Sequence, residues 1–461
     1  MKLKILLSVA MILSSTACST SPGKSSFLGI KKPTQDFIPR PVERQTLANG
    51  LQIVFVQEKT LPRISFQMMV KTGVLHEPSD LAGINTLTAE MLEQGTTKKT
   101  ATQLADEFGF LGTEFQSIAD KDYTFLSTHG LSTHKDHLLE LFAEVVTSPQ
   151  FSQKEYARVQ NQLLSMIQKA QDQPHQYVSM LYDQVVFEGH PYQNSKLGKK
   201  ETVQKIRRQD VIRHYFKYYR PNNSVLAVTG NFDSDFMQKV SLAFSGWQSA
   251  EVPTLPELKV KTIDKPQMSF FSKKGLAQTQ IIMGHPFIPY RDPDYLKVRL
   301  ANVVLGSAFA SRLNLRVRDE LGLTYSVHSS LDPAMEHSSF EISTFTRNEK
   351  VQQTLEESIK VFEVLVKDGI TESELQSAKN LLVGQFPSVI ETVDSYARNI
   401  LMLEYLGVGS AYLSEFNTRV SSISLEQVNE AVKKHLHPEQ IHMVVYGDEK
   451  LVAPQLKKWY K

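Results

Sequence analysis

The chain reads as an α+β protein of two homologous domains, each a mixed β-sheet with helices packed on one face, joined by a linker. Three observations lead there. A helix–turn–strand unit occurs twice at a constant offset of 217 residues: residues 206–221 followed by 224–230, and residues 423–438 followed by 441–447. Ile206 and Ile423, Val211 and Val428, Pro221 and Pro438, and Gly230 and Gly447 coincide without a gap. Each unit is a helix stopped by proline, a short polar turn and a β-rich run ended by glycine, so four matches in register indicate duplication. Within each half, strand signals come first and long amphipathic helices follow. Finally, a chain of 461 residues accommodates two or three domains with ample core, and a repeat of about 200 residues is one domain rather than a solenoid unit.

The elements follow in order. Residues 51–56 (Leu-Gln-Ile-Val-Phe-Val) and 64–70 (Ile-Ser-Phe-Gln-Met-Met-Val) are β-rich runs. A helix is expected over residues 81–94, with Leu81, Ile84, Leu87 and Met91 on one face and a stop at Gly95. Thr100 and Gln103 form a capping box for the next helix. A longer helix covers residues 153–170 and ends before Asp172-Gln-Pro174. The second half repeats the order with a strand at 280–283, a helix around Arg312, and helices from Thr371 and Tyr396. The Pro-containing stretch 249–257 is a linker, which sets the domains at 41–248 and 258–461.

Residues 1–18 carry a positive start, an apolar core from Ile5 to Leu13 and small residues up to Cys18. That apolar core is too short to span a bilayer, and the whole reads as a secretory signal. Cys18 is the only cysteine. It stands where a bacterial lipoprotein signal, which this segment resembles, carries the cysteine that is acylated, although Ser15 occupies the −3 position where such signals prefer leucine. The resemblance implies a lipid anchor and, with Ser19 following, a place on the periplasmic side of the outer membrane. Residues 19–40 are rich in Ser, Pro, Gly and Lys and read as a tether. Lys and Arg total 51 against 49 Asp and Glu, with no basic block, which argues against nucleic acid as a partner.

Asn49-Gly50, Glu77-Pro78, Gly95-Thr96, His190-Pro-Tyr192, Tyr219-x-Pro-Asn-Asn223 and Leu305-Gly306 occur in an order that resembles the pitrilysin, insulinase and mitochondrial processing peptidase superfamily. The resemblance covers nearly all of the chain after the tether. In that family the helix between Gly83 and Gly95-Thr96 carries His-x-x-Glu-His, two zinc ligands with a general base. Here those five positions read Thr86-Leu87-Thr88-Ala89-Glu90, so Thr86 and Glu90 stand for the imidazoles and Ala89 for the base. The family's third ligand is a glutamate on the long helix before Asp-x-Pro, and the expected region reads Leu163-Leu-Ser-Met-Ile-Gln168. No metal is therefore expected in this chain.

The second half differs. Arg318 precedes Tyr325 by seven residues, the spacing of the family's arginine/tyrosine element, which the resemblance implies acts on substrate and oxyanion at a zinc site across the complex. Residues 306–311 lie where relatives carry a glycine-rich loop, and only Gly306 remains of it. The resemblance thus implies a non-catalytic subunit contributing Arg318 and Tyr325 in trans, paired with a homologous subunit that holds the zinc and acts on peptides. The alternative is a metal-free scaffold or peptide-binding protein. His129, His134 and His137 read as a surface cluster, His435 and His437 as helix-end imidazoles, and Tyr215, Phe216, Tyr218 and Tyr219 as core and interface.

Overall fold

The computed structural model describes residues 39–255 and 258–459; the signal segment with Cys18 and nearly all of the tether lie outside the described residues. Six strands form the first sheet: β1 (Glu43–Thr46), β2 (Gln52–Gln57), β3 (Arg63–Val70), β4 (Gln116–Ala119), β5 (Thr124–Leu131) and β6 (Ser224–Gly230). Their order is β1-β2-β6-β3-β5-β4, parallel only between β2 and β6. The second sheet has β7 (Gln267–Ser272), β8 (Gln278–Phe287), β9 (Val327–Asp332), β10 (Ser338–Arg347) and β11 (His442–Gly447), in the order β7-β11-β8-β10-β9, parallel only between β7 and β11. Leaving β1 aside, the two sheets have the same topology strand for strand. The recurring sequence units end in β6 and β11, the two central strands that carry the parallel pairing.

Alternation along the strands explains the layering. Ile53 and Phe55 of β2, Ile64, Phe66, Met68 and Val70 of β3, and Leu226 and Val228 of β6 belong to one core, shared with Leu138 and Phe142 of the helix Lys135–Thr147, Val211 and Tyr215 of Arg208–Tyr218, and Phe236 and Val240 of Ser234–Ser245. In the second half Phe340 of β10 packs on Phe362 of the helix Val351–Asp368, ring centroids 4.8 Å apart.

The opposite face of each sheet is covered from the other half. The helix Pro174–Val186, from the first half, lies on β8 and β11, with Val178, Leu181 and Tyr182 packed among Ile282, Val444 and Tyr446. The helix Val393–Tyr405, from the second half, lies on β6, β2 and β3. It is pinned by Arg63 to Asp394 at 2.7 Å and by the Gln67 amide donating to the Asp394 carbonyl at 3.3 Å. Between these helices Lys121 is paired with Asp332 at 2.8 Å and Asp183 at 3.4 Å. Burial opposes its charge, but the two carboxylates outweigh it and hold the ammonium above its ordinary pKa. Asp122 accepts from Tyr192 and, at 2.8 Å, from the backbone N–H of Met335.

The approach of Pro174–Val186 leaves no room at Gly284. A Cβ there would stand 1.8 Å from the Phe340 carbonyl oxygen and 2.5 Å from the Tyr182 hydroxyl, which itself donates to that carbonyl at 3.1 Å. Gly284→Ala should therefore lower stability by about 1–3 kcal/mol. Gly384→Ala, in the exposed interior of the helix Glu372–Val389 with nothing within 4 Å, should raise it by about 0.5–1 kcal/mol. Urea midpoints of the two variants check the pair, and equal shifts of one sign would contradict it.

Candidate functional site

The helix that stands where the zinc ligands are expected spans Ile84–Leu92, shorter at its start than the apolar pattern suggests. The reason is a side chain that periodicity does not register. The Glu77 carboxylate accepts from the backbone N–H of Gly83 at 2.9 Å and of Asn85 at 2.8 Å, which fixes the helix origin, and Gly83 turns into it with φ +97°. Leu81 falls in a separate short turn, Ser79–Leu81. Burial pushes the Glu77 carboxyl up to about 8 against those two hydrogen bonds. Asn85 is tied in turn to Thr124, its amide donating to Oγ1 at 3.0 Å, and to His214, whose Nε2 lies 3.2 Å from its Oδ1.

On this helix the family's ligand positions carry other chemistry. The Thr86 hydroxyl donates to the Lys196 carbonyl at 2.5 Å, Ala89 is buried in the apolar interior, and Glu90 alone offers a carboxylate. Burial raises that carboxyl, partly countered by the Arg158 charge. On the neighbouring long helix, Gln153–Asp172, Leu163 and Ile167 point into the core, while Arg158 is bound to Glu155 at 2.8 Å and to Gln94. A committed hydroxyl, a methyl and one carboxylate facing an arginine do not fit a tetrahedral zinc site of imidazole and carboxylate ligands. A further carboxylate, Glu93, accepts from Ser117 twice, from its backbone N–H at 2.9 Å and its hydroxyl at 2.6 Å. Ser117 lies on β4, the edge of the sheet, so Glu93 covers a donor to which an added strand would pair.

Among the described residues one other group has metal-ligating types close together: Asp292, Asp294 and His435. The Asp294 carboxylate is already surrounded by Lys297 at 2.6 Å, Lys434 at 2.8 Å and His435 at 2.9 Å. Hydrogen bonds from Lys297, Lys434 and His435 hold its pKa far below the usual carboxylate range. It is an ion-pair clasp between the helices Tyr295–Asn302 and Leu425–His435, which gives His435 a partner beyond the helix dipole. His137 sits 3.3 Å from Glu107 on the surface. Tyr215 and Tyr219 stack at 5.2 Å in the core, while Phe216 is exposed.

Arg318 and Tyr325 come together. The guanidinium lies 4.7 Å from the ring centroid of Phe309 and 5.7 Å from that of Tyr325. Both rings are exposed, Phe309 at 75% and Tyr325 at 80%. The spacing of Arg318 and Tyr325 pointed to their pairing, but nothing in the spacing pointed to Phe309, which comes from the former glycine-loop position. The residues 303–307 and 314–320 wind as wide i→i+5 turns, a local geometry frequent at functional sites. Three arginines of this stretch have different surroundings. Arg312 forks onto Glu374 at 2.8 and 2.7 Å, and Arg316 meets Glu357 at 2.9 Å. Among the described residues the carboxylate in reach of Arg318 is that of its neighbour Asp319, at 3.8 Å. Among the described residues no hydrogen bond or ring contact joins Arg318 or Tyr325 to Thr86, Ala89 or Glu90.

This fold and this pair of halves define a peptidase-like protein. Residues 52–200 match the family model described as insulinase (peptidase family M16), and residues 205–382 match the one described as peptidase M16 inactive domain. The chain belongs to peptidase family M16 and is an inactive-type member of it. It is similar to an uncharacterised zinc protease, YmxG, of Bacillus subtilis (25% identity; 84% of this chain and 94% of that one). It is also similar to the non-peptidase homolog YmxG of Helicobacter pylori (22% identity; 86% and 92%). Among solved structures, an M16 inactive domain from Pseudomonas fluorescens superimposes with a TM-score of 0.82 at 26% identity, over 88% of this chain and 98% of that one.

Equilibrated with zinc and then dialysed, the purified protein should retain well under one metal per chain, because Thr86, Ala89 and Glu90 supply a single ionisable donor. Elemental analysis is the check. One tightly held zinc, lost on Glu90→Ala, would contradict the assignment.

Proposed function

We propose that this chain is the non-catalytic, substrate-binding subunit of a heteromeric zinc endopeptidase that acts on peptides at the periplasmic side of the outer membrane, with Cys18 as its lipid attachment point. The observation that carries the reading is the Arg318 fork. It lies near two exposed rings with only the Asp319 carboxylate, at 3.8 Å, beside it among the described residues, while the family's ligand positions in the first half carry Thr86, Ala89 and Glu90. A guanidinium in that state presents parallel donors to a peptide carbonyl, and the Tyr325 hydroxyl donates to an oxygen on which charge develops. Zinc, held by the homologous partner, would supply Lewis-acid polarisation of the scissile carbonyl and an activated water. The match to an inactive-domain model and the likeness to a non-peptidase homolog support a member that works beside an active one.

A scaffold reading has one observation in its favour, the Glu93 cap on the edge of β4, which closes a place where an extended chain would add. Reconstitution with a homologue bearing an intact His-x-x-Glu-His separates the two. Tyr325→Phe keeps the ring stack and removes one donor, so the complex should assemble on gel filtration while kcat and kcat/KM fall together by about 10²-fold. Unchanged turnover by an assembled Arg318→Ala/Tyr325→Phe variant would reject the shared site in favour of the scaffold.

Localisation has its own test. Cys18→Ser should move the protein from the membrane to the soluble fraction with its circular dichroism unchanged, since acyl chains contribute about 0.8 kcal/mol per buried methylene to anchoring. Membrane association that survives the substitution, or a wild-type amino terminus without acylation, would overturn the anchor.

A further inference from the structure

A cavity of about 350 Å³ lies in the second half, away from the Arg318 cluster. Four helices wall it: Tyr295–Asn302, Glu372–Val389, Val393–Tyr405 and Ala411–Ser422. Its lining is largely apolar and aromatic, from Leu382 and Leu413 to the stacked rings of Phe386 and Phe416, whose centroids are 4.4 Å apart. One cation lines it, the half-buried Arg299.

Three charges close to this cavity are paired. Arg419, whose guanidinium lies over the Tyr412 ring, is bound to Glu415 at 2.7 Å. Asp332, whose charge reaches Tyr295, is bound to Lys121 at 2.8 Å. Lys297, two residues from Arg299, is bound to Asp294 at 2.6 Å. Among the described residues Arg299 has no salt bridge, no side-chain hydrogen bond and no ring beneath its guanidinium. Its charge acts on the phenols of Tyr295 and Tyr412, which burial holds above their ordinary pKa. A half-buried guanidinium without a carboxylate keeps its donors and its charge available to a ligand beside the apolar lining. An apolar cavity at the small end of the usual range for ligand sites, about 300–1,000 Å³, with one convergent charged group is the general form of a small-molecule site.

We propose that this cavity binds a small amphipathic monocarboxylate. The carboxylate takes the Arg299 fork and an apolar body of one aromatic ring or a short acyl chain lies among Leu382, Leu413 and the Phe386–Phe416 stack. Charge complementarity selects the acid over a neutral molecule of the same shape, since only an anion completes Arg299. The volume sets the limit on size. The inference stands apart from the shared zinc site, because the isolated chain is sufficient for it.

Isothermal titration of the full chain with 4-phenylbutyrate tests it, using 4-phenylbutyramide as the neutral counterpart on the same wild-type protein. Expected is saturable binding of one acid per chain, at least tenfold tighter than the amide. Arg299→Gln should weaken the acid at least tenfold and leave the amide unchanged, and Leu413→Trp, which fills the cavity, should abolish binding of both. Thermal melts monitor the fold of each variant, and the comparison of acid with amide requires no variant at all. Absence of saturable binding to the wild type at millimolar acid, equal affinity for acid and amide, or undiminished binding by a folded Leu413→Trp variant would overturn the proposal.

Discussion

The apolar second face of each sheet is the constraint on which the rest of this structure depends. A mixed sheet buried on one side by its own helices still carries residues such as Ile282 and Val444 on the other, and exposing them would forfeit about 25 cal/mol for every Å² left in water. The chain resolves this by exchange: the first half's helix Pro174–Val186 covers the second sheet, and the second half's helix Val393–Tyr405 covers the first. Neither half is complete without the other, so the duplicated units form one cooperative body. Charged groups that meet across the exchange are paired, Lys121 with Asp183 and Asp332, Asp394 with Arg63.

The helix that carries the family's ligand positions is held by contacts of its own side chains. The helix Ile84–Leu92 is held at its origin by Glu77, and along its length by Ile84, Leu87 and Met91 in the core. Thr86 turns its hydroxyl to the Lys196 carbonyl and Ala89 fills apolar space, so the former ligand positions became ordinary packing positions.

Much of the fold is legible in the sequence because it rests on local signals. Pro221 and Pro438 end helices and Gly230 and Gly447 end the central strands, and those punctuation marks alone expose the duplication. The absent imidazoles at Thr86 and Glu90 are legible in the same way, as residue types at fixed positions. Contacts between distant segments are not legible. No periodicity assigns the helix at 174–186 to the second sheet, because its apolar stripe would suit either one. The helix start at Gly83 depends on the side chain of Glu77, six residues earlier and outside any capping pattern. The spacing of Arg318 and Tyr325 suggests a pair, but Phe309 joins it only through the wide turns that place the three side chains together. His435 looked like a helix-end charge, and its partner Asp294 sits 141 residues away in sequence.

The contrast among Arg312, Arg316 and Arg318 bears most directly on function. All three lie within seven residues, and the first two are neutralised by Glu374 and Glu357 on other helices. Those two are structural, since removing either would strand a carboxylate. Arg318 instead lies near two aromatic rings, with the Asp319 carboxylate at 3.8 Å. Such rings restrict the side chain while leaving its outward N–H groups open, at a cost in solvation that is small because a guanidinium is weakly hydrated. A docked surface that excludes water from such a group strengthens whatever hydrogen bond it then makes, because the local dielectric falls. An arginine organised in advance, with its one carboxylate neighbour at 3.8 Å, is therefore worth little to the isolated chain and much more once another molecule covers it.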